Sequence, residues 1–246
     1  MKPTLLVTGG SAGIGAATAR LAPEYGYGHV ALSYNSDAAG AQAVAADLRA
    51  AGLGTTVIGC DVADPASVAA LFGGLQTLPD APLHLVNNAG IVMPAGKLAD
   101  LTPERVAQLF AVNVFGAIEV ARQAVMYMRA HGGGHIVNVS SAAARLGSAG
   151  QYVDYAASKG AIDTLTLGLA DELAPEGIRV NAVRPGLIET AIHAKGGDPD
   201  RLKRIGASPP LGRPGSADEV ARGILWLLSD DASYVTRTIL DVAGGR

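Results

Sequence analysis

Short, almost unbroken apolar runs alternate with alanine-rich stretches of helical length, and this alternation leaves the chain few folds. The runs are Thr4–Thr8, His29–Ser33, Thr55–Cys60, Leu83–Asn87, His135–Val139, Arg179–Val183 and Ile239–Val242. A strand with one face in water alternates apolar with polar residues, whereas a strand covered on both faces does not. Between the runs lie Ala38–Ala51, Ser67–Gln76, Thr102–Arg129, Tyr155–Leu173 and Ala217–Leu228. Each can carry the chain back across a sheet, as parallel neighbours require. The pattern predicts an α/β fold, a doubly wound parallel sheet with helices on both faces. No linker, repeat or low-complexity break divides it, so residues 1–246 read as one domain. With hydrophobic residues at 49% and charged residues at 17%, a single large core is within reach.

One segment departs from the rhythm. Residues 187–215 hold Gly196-Gly197-Asp198-Pro199 and Pro209-Pro210 and are too long for an ordinary connection. They are expected to form a substrate lid with a short helix inside, the alternative being a variable surface insertion. A net charge of −3 argues against a nucleic-acid partner or an anionic membrane surface. No stretch approaches the roughly 20 apolar residues of a membrane span. The opening Met1-Lys2-Pro3-Thr4 runs straight into a strand, without a leader pattern. The lone Cys60 excludes an intramolecular disulfide framework and is expected to pack at a strand end. These features point to the cytoplasm.

Two local patterns carry chemistry. Thr8-Gly9-Gly10-Ser11-Ala12-Gly13-Ile14-Gly15 follows the first strand and opens a helix. Glycines 9, 13 and 15 allow a tight turn and a close approach of backbone to a pyrophosphate, which the helix N-terminus attracts. A glycine string alone also suits mere helix–sheet packing; its place in a βα repeat is what points to a dinucleotide. Further on, Tyr155 and Lys159 lie four apart, on one face of a helix. A phenol titrates near ~10, and an ammonium beside it favours the phenolate, so the pair is read as a proton-transfer device. Tyr152 has Ala156 at that spacing and lacks the partner, so it is expected to face the pocket or to pack.

With these in place the whole chain resembles the short-chain dehydrogenase/reductase family, of the compact kind that includes ketoacyl-carrier-protein reductases and glucose dehydrogenases. The motifs fall in the family order: Thr8-Gly-X3-Gly13-X-Gly15, Asp61-Val62, Asn87-Asn88-Ala89-Gly90, Asn113, Ser140-Ser141, Tyr155-X3-Lys159 and Pro185-Gly186 with Thr190. The resemblance implies a Rossmann-type domain and an NAD(P)-dependent oxidoreductase that interconverts a small ketone or aldehyde and an alcohol. It implies a catalytic set of Asn113, Ser141, Tyr155 and Lys159. Tyr155 would exchange the proton, and Ser141 would hold the substrate oxygen. Lys159 would grip the ribose and lower the tyrosine pKa, while Asn113 would brace its helix and reach Lys159 through a water. Adjacent serines point to opposite faces of a strand, so Ser140 is left a structural role.

The same resemblance places the dinucleotide against Gly9, Ser11, Gly13, Ile14 and Gly15 and against Asp61, Val62, Asn88, Ala89 and Gly90. Tyr155, Lys159, Pro185, Gly186, Ile188 and Thr190 would hold its nicotinamide half. An NAD site usually ends the second strand with a carboxylate on the ribose diol. Here Tyr34, Asn35 and Ser36 stand there, so NADP is the expectation and NAD the alternative. Against NADP stand the missing arginines at Ala12 and Asn35, and Asp37 just beyond. Family members of this size usually form homotetramers through the Asn113 and Tyr155 helices. The competing class is a cofactor-binding regulator without chemistry; a hydrolase is disfavoured by the lack of a Gly-X-Ser-X-Gly elbow.

Other patterns are expected to be silent. His131-Gly-Gly-Gly-His135 is too glycine-rich for a helix and too small a donor set for a metal. The sequon Asn138-Val139-Ser140 lies in a predicted buried strand. Arg201, Lys203 and Arg204 could draw an anionic substrate, but a solvated helix face is the expectation. Pro23 should end the first helix early, and Arg237 falls where the family carries glycine, so a positive φ there would strain it. Substrate choice is expected to depend on the lid and on side chains near Met93, Gln151 and Tyr152.

Overall fold

Consecutive core residues of a strand face opposite ways, and both faces of this sheet are covered. Leu5 and Val7 of β1 (Thr4–Val7) pack with Ala16, Val44, Leu48, Val220 and Ile224 on one side. Leu6, between them, packs with Val68, Leu71, Phe72, Val120, Met128 and Leu173 on the other. That is why the apolar runs are unbroken. The computed structural model describes residues 2–78 and 80–246, apart from the side chains of residues 193 and 195.

The remaining strands are β2 (His29–Tyr34), β3 (Gly54–Gly59), β4 (Leu83–Asn87), β5 (Gly134–Val139), β6 (Arg179–Pro185) and β7 (Ile239–Val242). They form one 7-stranded sheet in the order β3-β2-β1-β4-β5-β6-β7, parallel at every pairing. The chain winds outward from β1 to β3, then returns to the far side of β1 and winds the other way. The strand order therefore reverses between β1 and β4, and the crevice at their carboxyl ends is where such sheets take ligands. This is the Rossmann-type single domain expected.

The helices are α1 (Gly13–Leu21), α2 (Ala38–Ala50), α3 (Pro65–Leu75), α4 (Pro103–Phe110), α5 (Ala117–Ala130), α6 (Ala143–Leu146), α7 (Val153–Leu173), α8 (Ile192–Lys195), α9 (Arg201–Ile205) and α10 (Ala217–Leu228). Pro23 does stop α1: the chain tightens into a 3-10 turn over Ala22–Tyr25 and leaves through Gly26 at φ 78°. The stretch 102–129, expected as one helix, is α4 and α5 joined by a π-helical segment, Ala111–Gly116. Together Pro103–Ala130 are long and apolar enough to cross a membrane, with a mean hydropathy of 1.4 over 18 residues, contrary to the sequence reading. Half of that window is buried in the protein, as for a core helix. Residues 187–215 hold two short helices, α8 and α9, where one was expected.

Candidate active site

The reversal point is sewn together by Thr8 and Asn88. The Thr8 hydroxyl accepts the N–H groups of Asn88 and Ala89, both at 3.0 Å. The Asn88 amide donates to the carbonyls of Thr8 (2.8 Å) and Gly9 (3.2 Å). The end of β4 thus fixes the glycine turn. Gly9 and Gly13 take φ of 64° and 55°, a backbone that side chains disfavour. Gly15 needs to be glycine for another reason: a Cβ there would lie 2.5 Å from the Gly9 carbonyl oxygen and 2.7 Å from the Asn88 amide. It is a packing glycine absent from the cleft wall, a correction to the reading that set it beside the phosphate. Gly13 is on the wall, and a Cβ there would meet only Thr190, at 3.4 Å. The turn therefore leaves its N–H edge open at the mouth of α1, which fits a pyrophosphate.

A cavity of about 680 Å³ runs from this turn across the carboxyl ends of the strands. Gly9, Ser11, Gly13 and Ile14 form one wall, with Asn35 and Ser36 after β2 and Asp61 and Val62 after β3. Asn88, Ala89 and Gly90 line its centre, and Pro185, Gly186, Ile188 and Thr190 line the side after β6. Tyr34 does not reach it. The residue pairs with Gly59, and its hydroxyl would stand 3.6 Å from a Cβ on that glycine. Ser33 faces the cavity instead, because alternate residues of a strand share a face and Asn35 is on that wall. Its hydroxyl is buried and meets no described partner, so it awaits a polar ligand. Asp37 is folded back as the N-cap of α2, accepting the Gly40 N–H at 2.9 Å. Cys60 also lines the cavity, and burial pushes its thiol pKa up.

Ser141, Tyr155 and Lys159 meet at the middle of the cavity. The Ser141 hydroxyl accepts the Ala143 N–H at 3.1 Å and stands close enough to the Tyr155 phenol to oppose its burial. The Lys159 ammonium lies 5.9 Å from the centre of the Tyr155 ring and donates to the Val139 carbonyl at 2.7 Å. Ser140 is turned away, donating to the Lys159 carbonyl at 3.1 Å and so fastening α7 to β5. Asn113 is buried behind the cavity wall, in the π segment. Its Oδ1 accepts the Ile91 N–H (2.8 Å), and its Nδ2 donates to the Ile91 carbonyl (2.9 Å) and to Ser158 Oγ (3.2 Å). Ser158 in turn donates to the Tyr155 carbonyl at 2.8 Å. Asn113 thereby ties the loop after β4 to the turn of α7 that carries the tyrosine. Gly90 fits between them, since a Cβ would come 3.3 Å from Asn113 Oδ1 and 3.5 Å from Lys159 Nζ.

Burial governs the titration of both groups. It raises the Tyr155 phenol, with the Ser141 hydroxyl opposing, and it lowers Lys159 to about 8, with Asp163 opposing. Contrary to the expectation that Lys159 would hold the phenol low, burial raises it and the opposing influence comes from Ser141. Asp163, one turn along α7, accepts from Arg184 Nε (2.9 Å) and Nη2 (2.7 Å).

Tyr152 is buried on the cavity wall. The guanidinium of Arg201 lies 5.0 Å from its ring centre, so Arg201 is not on a solvated face as the sequence suggested. Lys203 and Arg204 are outside, paired with Asp200 and Asp198 at 2.7 Å each. His131 and His135 part company: one stacks on Tyr127 and the other on His84.

A family profile described as enoyl-(acyl carrier protein) reductase matches residues 9–246. The chain belongs to the short-chain dehydrogenase/reductase family. An uncharacterized oxidoreductase of Escherichia coli, YgfF, is 49% identical over 244 residues, covering 98% of each chain. An NADPH-dependent aldehyde reductase-like protein of Arabidopsis thaliana is 34% identical, over 98% of this chain and 92% of its own. The crystal structure of a short-chain type dehydrogenase/reductase from Mycobacterium marinum superposes with a TM-score of 0.92 at 32% identity, over 99% and 94% of the two chains. Family membership makes the protein an NAD(P)-dependent oxidoreductase acting on a small carbonyl or alcohol.

Proposed function

We propose that the enzyme is a carbonyl reductase preferring NADP, with Tyr155 as its general acid. What carries the reading is the Ser141–Tyr155 hydroxyl pair, backed by a buried Lys159, opening onto the cavity that begins at the glycine turn. A carbonyl oxygen placed against both hydroxyls is polarised by Ser141 and protonated by Tyr155. The raised phenol pKa keeps Tyr155 protonated at neutral pH, the state a reduction needs. With a pKa of about 8, Lys159 is still mostly charged at pH 7, and it stabilises the phenolate left behind. In the oxidative direction the same proton moves back. Asn113 acts through position, holding the Tyr155 turn of α7 against the cavity wall.

The nicotinamide dinucleotide supplies the hydride when bound. Gly9, Ser11, Gly13 and Ile14 would hold its phosphates, Asp61 and Val62 its adenine, Asn88–Gly90 its adenosine ribose, and Pro185, Gly186, Ile188 and Thr190 the nicotinamide half. Tyr155 and Lys159 would meet its ribose. The preference for NADP rests on Ser33, Asn35 and Ser36 facing the cavity after β2, where a diol-binding carboxylate is missing. Asp37, the carboxylate that follows them, is occupied by the α2 N-terminus. The similar Arabidopsis protein is also named for NADPH. Residues 187–215 would close over the substrate, and the exposed face of α5 suits a homotetramer.

Tyr155→Phe is the direct test. Carbonyl-dependent oxidation of NADPH should fall by roughly 10²- to 10⁴-fold, while fluorescence titration shows NADPH binding retained. Undiminished turnover in that variant overturns the mechanism. Tighter binding of NADH than of NADPH by tenfold or more overturns the cofactor preference.

A further inference from the structure

Charge is divided between the two ends of the cavity. Its acidic wall residues, Asp37 and Asp61, follow β2 and β3 at the dinucleotide end. Beyond Tyr155 the wall carries Tyr152 and, from lid helix α9, Arg201. The Arg201 side chain is 14% exposed, against 83% and 58% for its helix neighbours Lys203 and Arg204. Its position is set on two sides: the ring of Tyr152 lies 5.0 Å below the guanidinium, and Nη1 donates to Gln151 Oε1 at 2.8 Å. The Asp198 carboxylate is 3.9 Å from Nη1 and is gripped through both oxygens by Arg204. Nε and Nη2 of Arg201 meet no hydrogen-bond acceptor among the described residues. The Arg201 guanidinium lines the cavity with these donors unfilled, and an anion bound there would complete it. Its planar fork matches a carboxylate, and the ring beneath fixes the plane. Lys159 cannot take this part, because it is committed to Val139 and to the tyrosine.

We propose that the substrate carries a carboxylate and that Arg201 binds it, so that the reaction is the reduction of an oxo acid to a hydroxy acid. The inference rests on the carbonyl-reductase reading above. Hydride from the reduced nicotinamide forms the new bond at the carbonyl carbon. The C=O π pair takes the Tyr155 proton, and the oxidised nicotinamide leaves. The carboxylate is unchanged and serves only to place the carbonyl against Ser141 and Tyr155. Arg201 is thus a specificity residue, and binding through it also draws the lid onto the Tyr152 loop.

The test compares aliphatic and cyclic oxo acids with their methyl esters, using NADPH and the whole chain. The wild-type kcat/KM should favour the acid in at least one pair by about ten- to hundredfold, the worth of a charge-assisted hydrogen bond. In Arg201→Met the loss on the acid should exceed the loss on its ester by about tenfold, mainly through KM. Arg201→Lys, which keeps charge without the fork, should retain part of the preference. Equal turnover of acids and esters by the wild type overturns the inference, as does an equal loss on both in Arg201→Met, the mark of a lid-packing role. If neutral carbonyls alone are reduced and Tyr155→Phe abolishes it, only the carboxylate inference falls. If no carbonyl of either kind turns over, the carbonyl-reductase reading falls with it.

Discussion

Arg237 holds φ at 65°, in the left-handed region that costs an ordinary side chain about 1–2 kcal/mol. Its backbone is kept there by the N–H bond to the Val180 carbonyl at 2.9 Å, at the entrance to the β6–β7 pairing. The compensation its side chain offers is an ion pair with Asp171 at 3.0 Å, with both partners more than half exposed, which is worth little. Arg237→Gly should therefore stabilise the protein by up to about 1 kcal/mol, a rise of roughly 2–4 °C in Tm. A lower Tm for the glycine variant in calorimetry would show that the ion pair outweighs the strain. This position was legible in the sequence, because arginine stands there in place of the family's glycine. Tyr34 was misplaced for an equally simple reason. Counting residues to the end of β2 without tracking alternation puts the aromatic in the cavity, when parity gives the place to Ser33 and Asn35. Gly15 looked like Gly9 and Gly13 because a string of glycines does not show which one turns, which one faces the ligand and which one packs.

At the scale of elements, strands and crossover helices could be read from their apolar runs, but the π segment Ala111–Gly116 could not. A single widened turn leaves the apolar periodicity of the surrounding helix almost intact. Its cause is tertiary: Gly116 comes so close to Val62 that a Cβ would lie 2.6 Å from that carbonyl oxygen, and Asn113 turns to meet Ile91 and Ser158. The amino end of the sheet held another surprise. His84 and His135, register partners on β4 and β5, stack at 4.9 Å, with Tyr27 Oη 2.8 Å from His84 Nδ1. Arg179 stands beside them, donating to the carbonyls of Leu227 and Val235, and Asp230 faces His135 from beyond α10. Burial lowers His84 to about 3 and His135 to about 4, and the neighbouring charge of Arg179 adds to both. Both are neutral in the folded protein, whereas the unfolded chain takes up their protons near pH ~6.5. Their contribution is complete above that pH and is lost as pH falls toward 4 and then 3, by an amount on the order of a few kcal/mol. Urea midpoints measured from pH 7.5 down to 4.5 should fall steeply for the wild type and less steeply for His84→Gln. Identical acid limbs would place the acid sensitivity elsewhere.

For the whole molecule, the reversal of strand order was implicit in where the glycine turn and the Asn88 segment fall, since both must end strands adjacent to it. The surface was less legible. Phe115, Ile118 and Met126 are exposed along one side of the rod formed by the π segment and α5, three and then eight residues apart, as one helix face requires. Arg122 lies on that stripe, held by Glu119 at 2.7 Å and touching the Met126 sulfur at 3.3 Å. On α7 the outer face is bare: Cβ atoms built at Gly160 and Gly168 would meet nothing within 4 Å. A row of large apolar side chains on one helix and a smooth face on another are what two copies need to pack closely. An apolar stripe on a helix that also carries Asn113 would, if left in water, work against the element that positions Tyr155. The homotetramer proposed above covers it. Light scattering on the purified protein should then give about four times the chain mass of 24.8 kDa. Phe115→Glu with Met126→Glu buries like charge at the contact and should shift the mass to smaller species, lowering activity in step with dissociation. A wild type that runs at the mass of one chain, or a double variant that stays fully assembled, would remove this face as the contact and leave the apolar stripe to another partner.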